Sequence, residues 1–91
     1  MKPLTHAIPG ALGALLREAP LSPQKVAFAW TAAVGPAIDR VTSVRLEGTR
    51  LLVDVQGDGW NREVTRMRSM ILPRLQSLLG TTTVTSIEVR R

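Results

Sequence analysis

The sequence contains no cysteine and no tyrosine, and it has a single histidine, His6. Without cysteine, the chain forms neither a disulfide framework nor a zinc site with cysteine ligands. General acid–base catalysis needs a positioned group with a shifted pKa in a pocket, but the seven carboxylates are scattered along the chain. We therefore expect a protein that is not an enzyme and that uses no metal or other cofactor.

Long apolar runs are also missing. No stretch approaches the roughly 18 apolar residues that cross a membrane, and the first residues lack the apolar segment of a secretory signal. We therefore expect a cytoplasmic location and no contact with a membrane.

The length of 91 residues fits one domain. We expect residues 1–8 to be a flexible N-terminus and residues 9–91 to form that domain.

Proline and glycine divide the first part of the chain into two predicted helices. Residues 9–19 begin at a proline, and their leucines recur at helical spacing on one face. Residues 22–34 open with Ser22 as the N-cap and Pro23 at the first helical position. The pair Gly35-Pro36 is the predicted end of this second helix.

The second half combines strands with one long helix. Residues 41–47 and 51–55 alternate between apolar and polar side chains, and the short turn between them predicts an antiparallel hairpin. Residues 84–90 alternate again and predict a third strand. The segment between these strands predicts a helix of about twenty residues, with Asp58 as its N-cap. Pro73 is expected to bend or break that helix.

A core is predicted from the apolar positions of the helices. In the long helix these positions fall within a narrow arc at the 3.6-residue period. For the two tryptophans, burial in the core is favoured over stacking on a nucleic-acid base. The predicted core residues are Trp30, Trp60, Val64, Met67, Ile71 and Leu75.

Arginine is what the sequence has in excess: ten arginines and two lysines face seven acidic residues, giving a net charge of +5. A basic balance favours an anionic partner, nucleic acid first, and guanidinium forks match phosphate oxygens. The alternative is a solvated surface with acidic neighbours, where each ion pair contributes little. The candidate binding residues are Arg45, Arg50, Arg62, Arg66, Arg68, Arg74, Arg90 and Arg91.

Three ordered motifs carry a family resemblance. They are Trp30-x3-Val34-Gly35; then Leu51-x-Val53-x-Val55-x4-Trp60-x2-Glu63-Val64; then Ile71-Leu72-x2-Leu75-x3-Leu79-Gly80 leading to Val84-x2-Ile87-x-Val89-Arg90. Together they resemble the bacterial DciA family over roughly residues 12–91. The resemblance implies an α+β fold, a KH-like two-layer sandwich. The predicted order is α-α-β-β-α-β, with a three-stranded sheet packed on helices.

The resemblance also implies a role in replication initiation. Such a protein binds the replicative DnaB-type helicase, promotes its loading, and contacts DNA through a basic surface. Many relatives carry a further basic extension, and without one we expect weaker helicase binding or binding by the globular domain alone.

The leading hypothesis is a non-enzymatic adaptor that binds DNA, independently of sequence, through the eight arginines. One alternative is a stand-alone KH-like RNA-binding module. Another is an interaction domain that forms a homodimer, for which Leu52, Leu79 and Val84 are the candidate apolar contacts.

Overall fold

The computed structural model describes residues 20–90, which fold as two layers. The elements are α1 (Pro23–Val34), α2 (Pro36–Arg40), β1 (Thr42–Glu47), β2 (Arg50–Val55), α3 (Asp58–Leu79) and β3 (Ser86–Arg90). The predicted order α-α-β-β-α-β and the three-stranded sheet packed on helices are confirmed. The predicted helix over 9–19, the expected flexible segment 1–8 and Arg91 lie outside the described residues.

Helix α1 begins as its sequence predicts. The Ser22 side chain accepts a hydrogen bond from the Lys25 backbone N–H at 3.1 Å, which satisfies one of the free donors at a helix start. The helix ends at Gly35, whose φ of 86° suits glycine. Pro36 then opens α2, a five-residue helix that the sequence analysis did not predict.

The sheet has the strand order β1-β2-β3. Strands β1 and β2 form the predicted antiparallel hairpin, closed by the pair Glu47 and Arg50. Strand β3 lies parallel to β2, with Ile87 beside Leu51. A parallel neighbour needs a long crossover, and α3 supplies it. The sheet has an inner face that packs against the helices and an outer face on the opposite side.

The core lies between the inner face of the sheet and the helices. Trp30 is the largest fully buried side chain, and Val64, Ile71 and Leu75 of α3 are buried beside it in one cluster. Met67 is partly buried against that cluster. The placement of Trp60 in the core is wrong, because 39% of this residue is exposed. Trp60 stands in the first turn of α3, before the helix reaches the buried cluster.

Helix α3 departs from the prediction at two further positions. Its N-cap is Gly57, with φ at 91°, and Asp58 is the first helical residue, so the assignment of Asp58 as the cap is wrong. At that position a carboxylate still interacts favourably with the helix dipole. The helix does not break at Pro73 and stays helical to Leu79. Pro73 is exposed, so water can solvate the carbonyl that loses its donor.

The three apolar residues suggested for homodimer contacts are not available at the surface. Leu52, Leu79 and Val84 are all buried, so their use as exposed contacts is wrong. The large apolar side chains that are exposed among the described residues are Leu21, Phe28, Trp60 and Met70.

A hydrogen-bond relay joins the indole of Trp30 to the start of the sheet. The Trp30 Nε1–H donates to Thr42 Oγ1 at 2.8 Å, and the Thr42 hydroxyl donates to the Ile38 carbonyl at 2.8 Å. One threonine thus satisfies a buried donor from α1 and an acceptor from α2. It ties both helices to the first residue of β1.

Replacing Thr42 with valine is expected to lower the free energy of unfolding by about 1–3 kcal/mol, because the indole N–H loses its acceptor in a buried place. Valine keeps the branched shape that suits a strand. Urea unfolding of the variant measures the effect. The matched control is Thr85→Val, whose exposed hydroxyl bonds only Thr49; equal losses for the two variants would contradict the relay.

Candidate nucleic-acid interface

The structure divides the candidate arginines between two surfaces. Arg62, Arg66, Arg68 and Arg74 lie on α3, whereas Arg45, Arg50 and Arg90 lie on the outer face of the sheet. Arg91 is outside the described residues. The two groups differ in the acidic residues beside them, and this difference decides which one presents free positive charge.

On the outer face of the sheet, every described arginine has a carboxylate partner. Arg45 Nε lies 3.2 Å from Glu47 Oε2, and Arg50 Nη1 lies 3.2 Å from Glu88 Oε1. Arg90 Nε lies 3.6 Å from an oxygen of Asp54. All three pairs are exposed, so each contributes at most about 1 kcal/mol to stability. The three arginines and three carboxylates give this face a balanced charge.

Helix α3 has an unbalanced charge. Its four arginines share the helix with only two carboxylates, Asp58 and Glu63. Arg62 and Arg66 are exposed one turn apart, on the side away from Val64. Arg66 pairs with Glu63, and Arg62 has no ion pair within residues 20–90. The solvent side of this helix is therefore the more positive of the two surfaces.

The remaining two arginines of α3 are held by backbone carbonyls. Arg74 Nη1 donates to the Ala33 carbonyl at 3.1 Å, which joins α3 to the last turn of α1. Arg68 Nε donates to the Thr65 carbonyl at 3.2 Å within the same helix. Neither bond neutralises the guanidinium, so both cations keep their full charge. Arg74 thus makes a structural contact between the two helices.

One exposed cation escaped the sequence analysis. Arg40 ends α2 and is exposed. It has no ion pair in the part of the chain that the structure describes. Its position in the last turn of a helix is favourable for a cation, but a helix of five residues is too short to show a periodic pattern. Arg40 could therefore be identified as a helix-terminal cation only once α2 was known.

Other kinds of site find no support in the described residues. No three histidine or acidic side chains lie close enough there to hold a metal ion. Among the described helices, none combines the length and the apolar character that crossing a membrane requires.

A comparison with protein-family models identifies the family of the chain. The model of the family described as "Dna[CI] antecedent, DciA" matches residues 3–89, nearly the whole chain. The chain belongs to the DciA family. The resemblance carried by the three ordered motifs is thereby confirmed. DciA proteins are loaders or adaptors rather than enzymes, and membership is consistent with a role in loading the replicative helicase. No curated protein and no solved structure matches the chain.

Proposed function

We propose that this DciA-family protein is a non-enzymatic, cytoplasmic adaptor that binds the replicative DnaB-type helicase and promotes its loading onto DNA during initiation. The observation that carries the proposal is the family match over residues 3–89. The basic solvent side of α3 supports the DNA-binding half of it. We place the helicase contact on a different surface, so that one protein holds both partners at once.

DNA binding in this proposal depends on phosphate neutralisation. Arg62 and Arg66 on the solvent side of α3 are the main contacts, and Arg68 and Arg74 lie on other sides of the same helix as additional contacts. Each phosphate contact releases counterions, so affinity falls as salt rises. We infer binding that is independent of sequence, because contacts to phosphate carry no sequence information. With about four phosphate contacts, the logarithmic salt slope on single strands is near −3.

The outer sheet face has a secondary part in this account. Arg45, Arg50 and Arg90 must exchange a carboxylate for a phosphate before they bind DNA. Because their ion pairs are exposed, that exchange costs about 1 kcal/mol or less for each arginine. Arg91, the next residue in the sequence, adds a fourth positive charge to this group. These four residues extend the contact area rather than anchor it.

Loading follows from holding DNA and helicase on one small protein. Once the helicase is bound, a DNA strand on the same adaptor meets it at a raised effective concentration. The adaptor supplies no reaction of its own. Its contribution is the higher rate at which the two partners meet.

Size-exclusion chromatography of the purified protein with the host replicative helicase tests the proposal. We expect a common peak that Arg62→Ala/Arg66→Ala leaves intact, because the helicase contact lies elsewhere. Absence of co-elution with the unaltered protein would defeat the helicase half.

The exposed ring of Trp60 is a separate feature that favours a single-stranded ligand, since base stacking on an aromatic ring contributes about 1–3 kcal/mol. Trp60 lies on the first turn of α3, on the side of the helix that carries Val64 rather than on the side of Arg62 and Arg66. Anisotropy titrations with DNA and RNA of equal length distinguish the adaptor from an RNA-binding module. A strong preference for RNA, together with no helicase binding, would favour the RNA module.

A further inference from the structure

We propose that a groove between α3 and β3 binds an extended acidic peptide, which adds to the sheet as a fourth strand beside β3. The groove holds about 480 Å³. Its walls include Arg66, Arg68 and Leu72 from α3, and Thr85, Ser86 and Ile87 from β3 and the residue before it. We call it the α3–β3 groove. The proposal adds a protein-binding site to the DNA-binding surface described above, and its test does not require the helicase.

Two side-chain amides hold the helix along the strand at either end of this groove. Gln76 Nε2 donates to the Val84 carbonyl at 2.9 Å, just before β3 begins. Asn61 Nδ2 donates to the Arg90 carbonyl at 3.4 Å, where β3 ends. Helix α3 and strand β3 therefore run in opposite directions along the groove. The two hydrogen bonds fix the distance between the helix and the strand on either side of the groove.

The free edge of β3 supplies main-chain partners. Strand β3 stands last in the order β1-β2-β3, so one of its edges has no strand beside it among the described residues. Alternate residues of a strand direct their N–H and C=O groups to opposite edges. An extended peptide can form main-chain hydrogen bonds with the groups at the free edge. A neighbouring helix can form the other wall of its binding site.

The charge of the groove selects the kind of peptide. Arg68 lines it with no ion pair among the described residues, and Arg66 lines it while paired with Glu63, which lies outside the lining. Hydroxyl groups of Thr65, Ser69, Thr85 and Ser86 add neutral hydrogen-bonding groups around the two cations. Leu72 and Ile87 give it an apolar floor. A strand with acidic side chains on one face and apolar side chains on the other matches this arrangement.

A nucleic-acid strand fits the groove less well than a peptide. Binding of single strands uses aromatic rings on which bases stack. The chain has three aromatic residues, Phe28, Trp30 and Trp60, and none of them lines the groove. The free strand edge, in contrast, offers main-chain N–H and C=O groups at regular intervals. An extended peptide has matching groups at the same spacing, and a sugar–phosphate backbone does not.

The groove at the opposite edge of the sheet is a weaker candidate. It lies between the start of α1 and β1 and is lined by Leu21, Val26 and Val44. Its single cation, Arg45, is paired with Glu47. No charge there points to one class of partner.

Fluorescence anisotropy with a labelled probe peptide tests the proposal. The probe alternates valine with glutamate over about six residues, the usual length of a strand. We expect the full-length protein to bind it. Arg68→Glu is expected to weaken binding about tenfold or more, because a charged contact becomes a repulsion. Arg62→Glu, the same charge change on the solvent side of the same helix, is expected to weaken it less than about threefold.

Two matched peptides and one exchange measurement complete the experiment. A peptide with N-methylated backbone amides and one with lysine in place of glutamate are both expected to lose binding. Hydrogen exchange of amides in Ser86–Arg90 is expected to slow when the acidic peptide is bound. No binding of the acidic peptide at about 1 mM, equal effects of the two arginine variants, or unchanged exchange in β3 would overturn the proposal. Displacement of the peptide by single-stranded DNA, with Arg68→Glu losing more DNA affinity than Arg62→Glu, would assign the groove to nucleic acid instead.

Discussion

Replacement of Trp30 with alanine is expected to lower the free energy of unfolding by about 3–5 kcal/mol. The indole is 1% exposed and packs in the cluster that joins α1 to the sheet and to α3. Truncation removes the packing of the indole. It also leaves the Thr42 hydroxyl oxygen without the indole N–H that donates to it. A domain of this size has a total stability of about 5–15 kcal/mol. Thermal and urea unfolding are therefore expected to show a protein close to the limit of folding.

Trp60→Ala is the matched control for this prediction. It deletes the same side chain from a position that is 39% exposed, so we expect a loss of about 1 kcal/mol or less. If Trp60 stacks on bases, this variant keeps its melting temperature and loses affinity for single strands. Equal destabilisation by the two substitutions would contradict the assignment of Trp30 to the core and Trp60 to the surface.

The double substitution Arg62→Ala/Arg66→Ala is expected to weaken DNA binding roughly tenfold to a hundredfold. The reason is that two charge-assisted contacts to phosphate are lost. The logarithmic salt slope on single strands should also fall by about 1.4, because two fewer phosphates are neutralised. Anisotropy titrations at several salt concentrations measure both quantities.

The control is Arg45→Ala/Arg50→Ala on the outer sheet face. It removes the same two charges from the molecule, so any effect of net charge is equal in the two variants. We expect a smaller loss of about threefold, since Glu47 and Glu88 pair with both of these arginines, whereas in the α3 variant only Arg66 has a carboxylate partner. If this control loses as much affinity as the α3 variant, the placement of the DNA surface on α3 is wrong.

Local sequence patterns predicted the hairpin and the start of α1 well. The Ser22-Pro23 pair sets the first turn of α1 through a contact within three residues. The hairpin depends on alternation and a short turn, both of which are local.

The exposure of Trp60 could not be predicted in this way. Trp60 lies on the same helical arc as Val64, yet only Val64 is buried. A helix of 22 residues extends about 33 Å, well beyond strands of about 20 Å, and periodicity does not show which turn overhangs the sheet.

The division of the arginines could not be predicted from the sequence. Arg50 meets Glu88, and Arg90 meets Asp54, only because β3 pairs with β2 in one particular parallel register. The sequence analysis placed β3 beside the hairpin without that register. It therefore counted all eight arginines as one group. In the structure Arg66 and the three described sheet arginines have carboxylate partners, whereas Arg62, Arg68 and Arg74 have none among the described residues.

The most direct test of the proposed function is the amount of replicative helicase loaded onto a closed circle of single-stranded DNA, with and without this protein. The account predicts that the unaltered protein increases the loaded helicase and that Arg45→Ala/Arg50→Ala retains most of this effect. Arg62→Ala/Arg66→Ala should lose it while still co-eluting with the helicase. Equal loading with and without the unaltered protein would contradict the account.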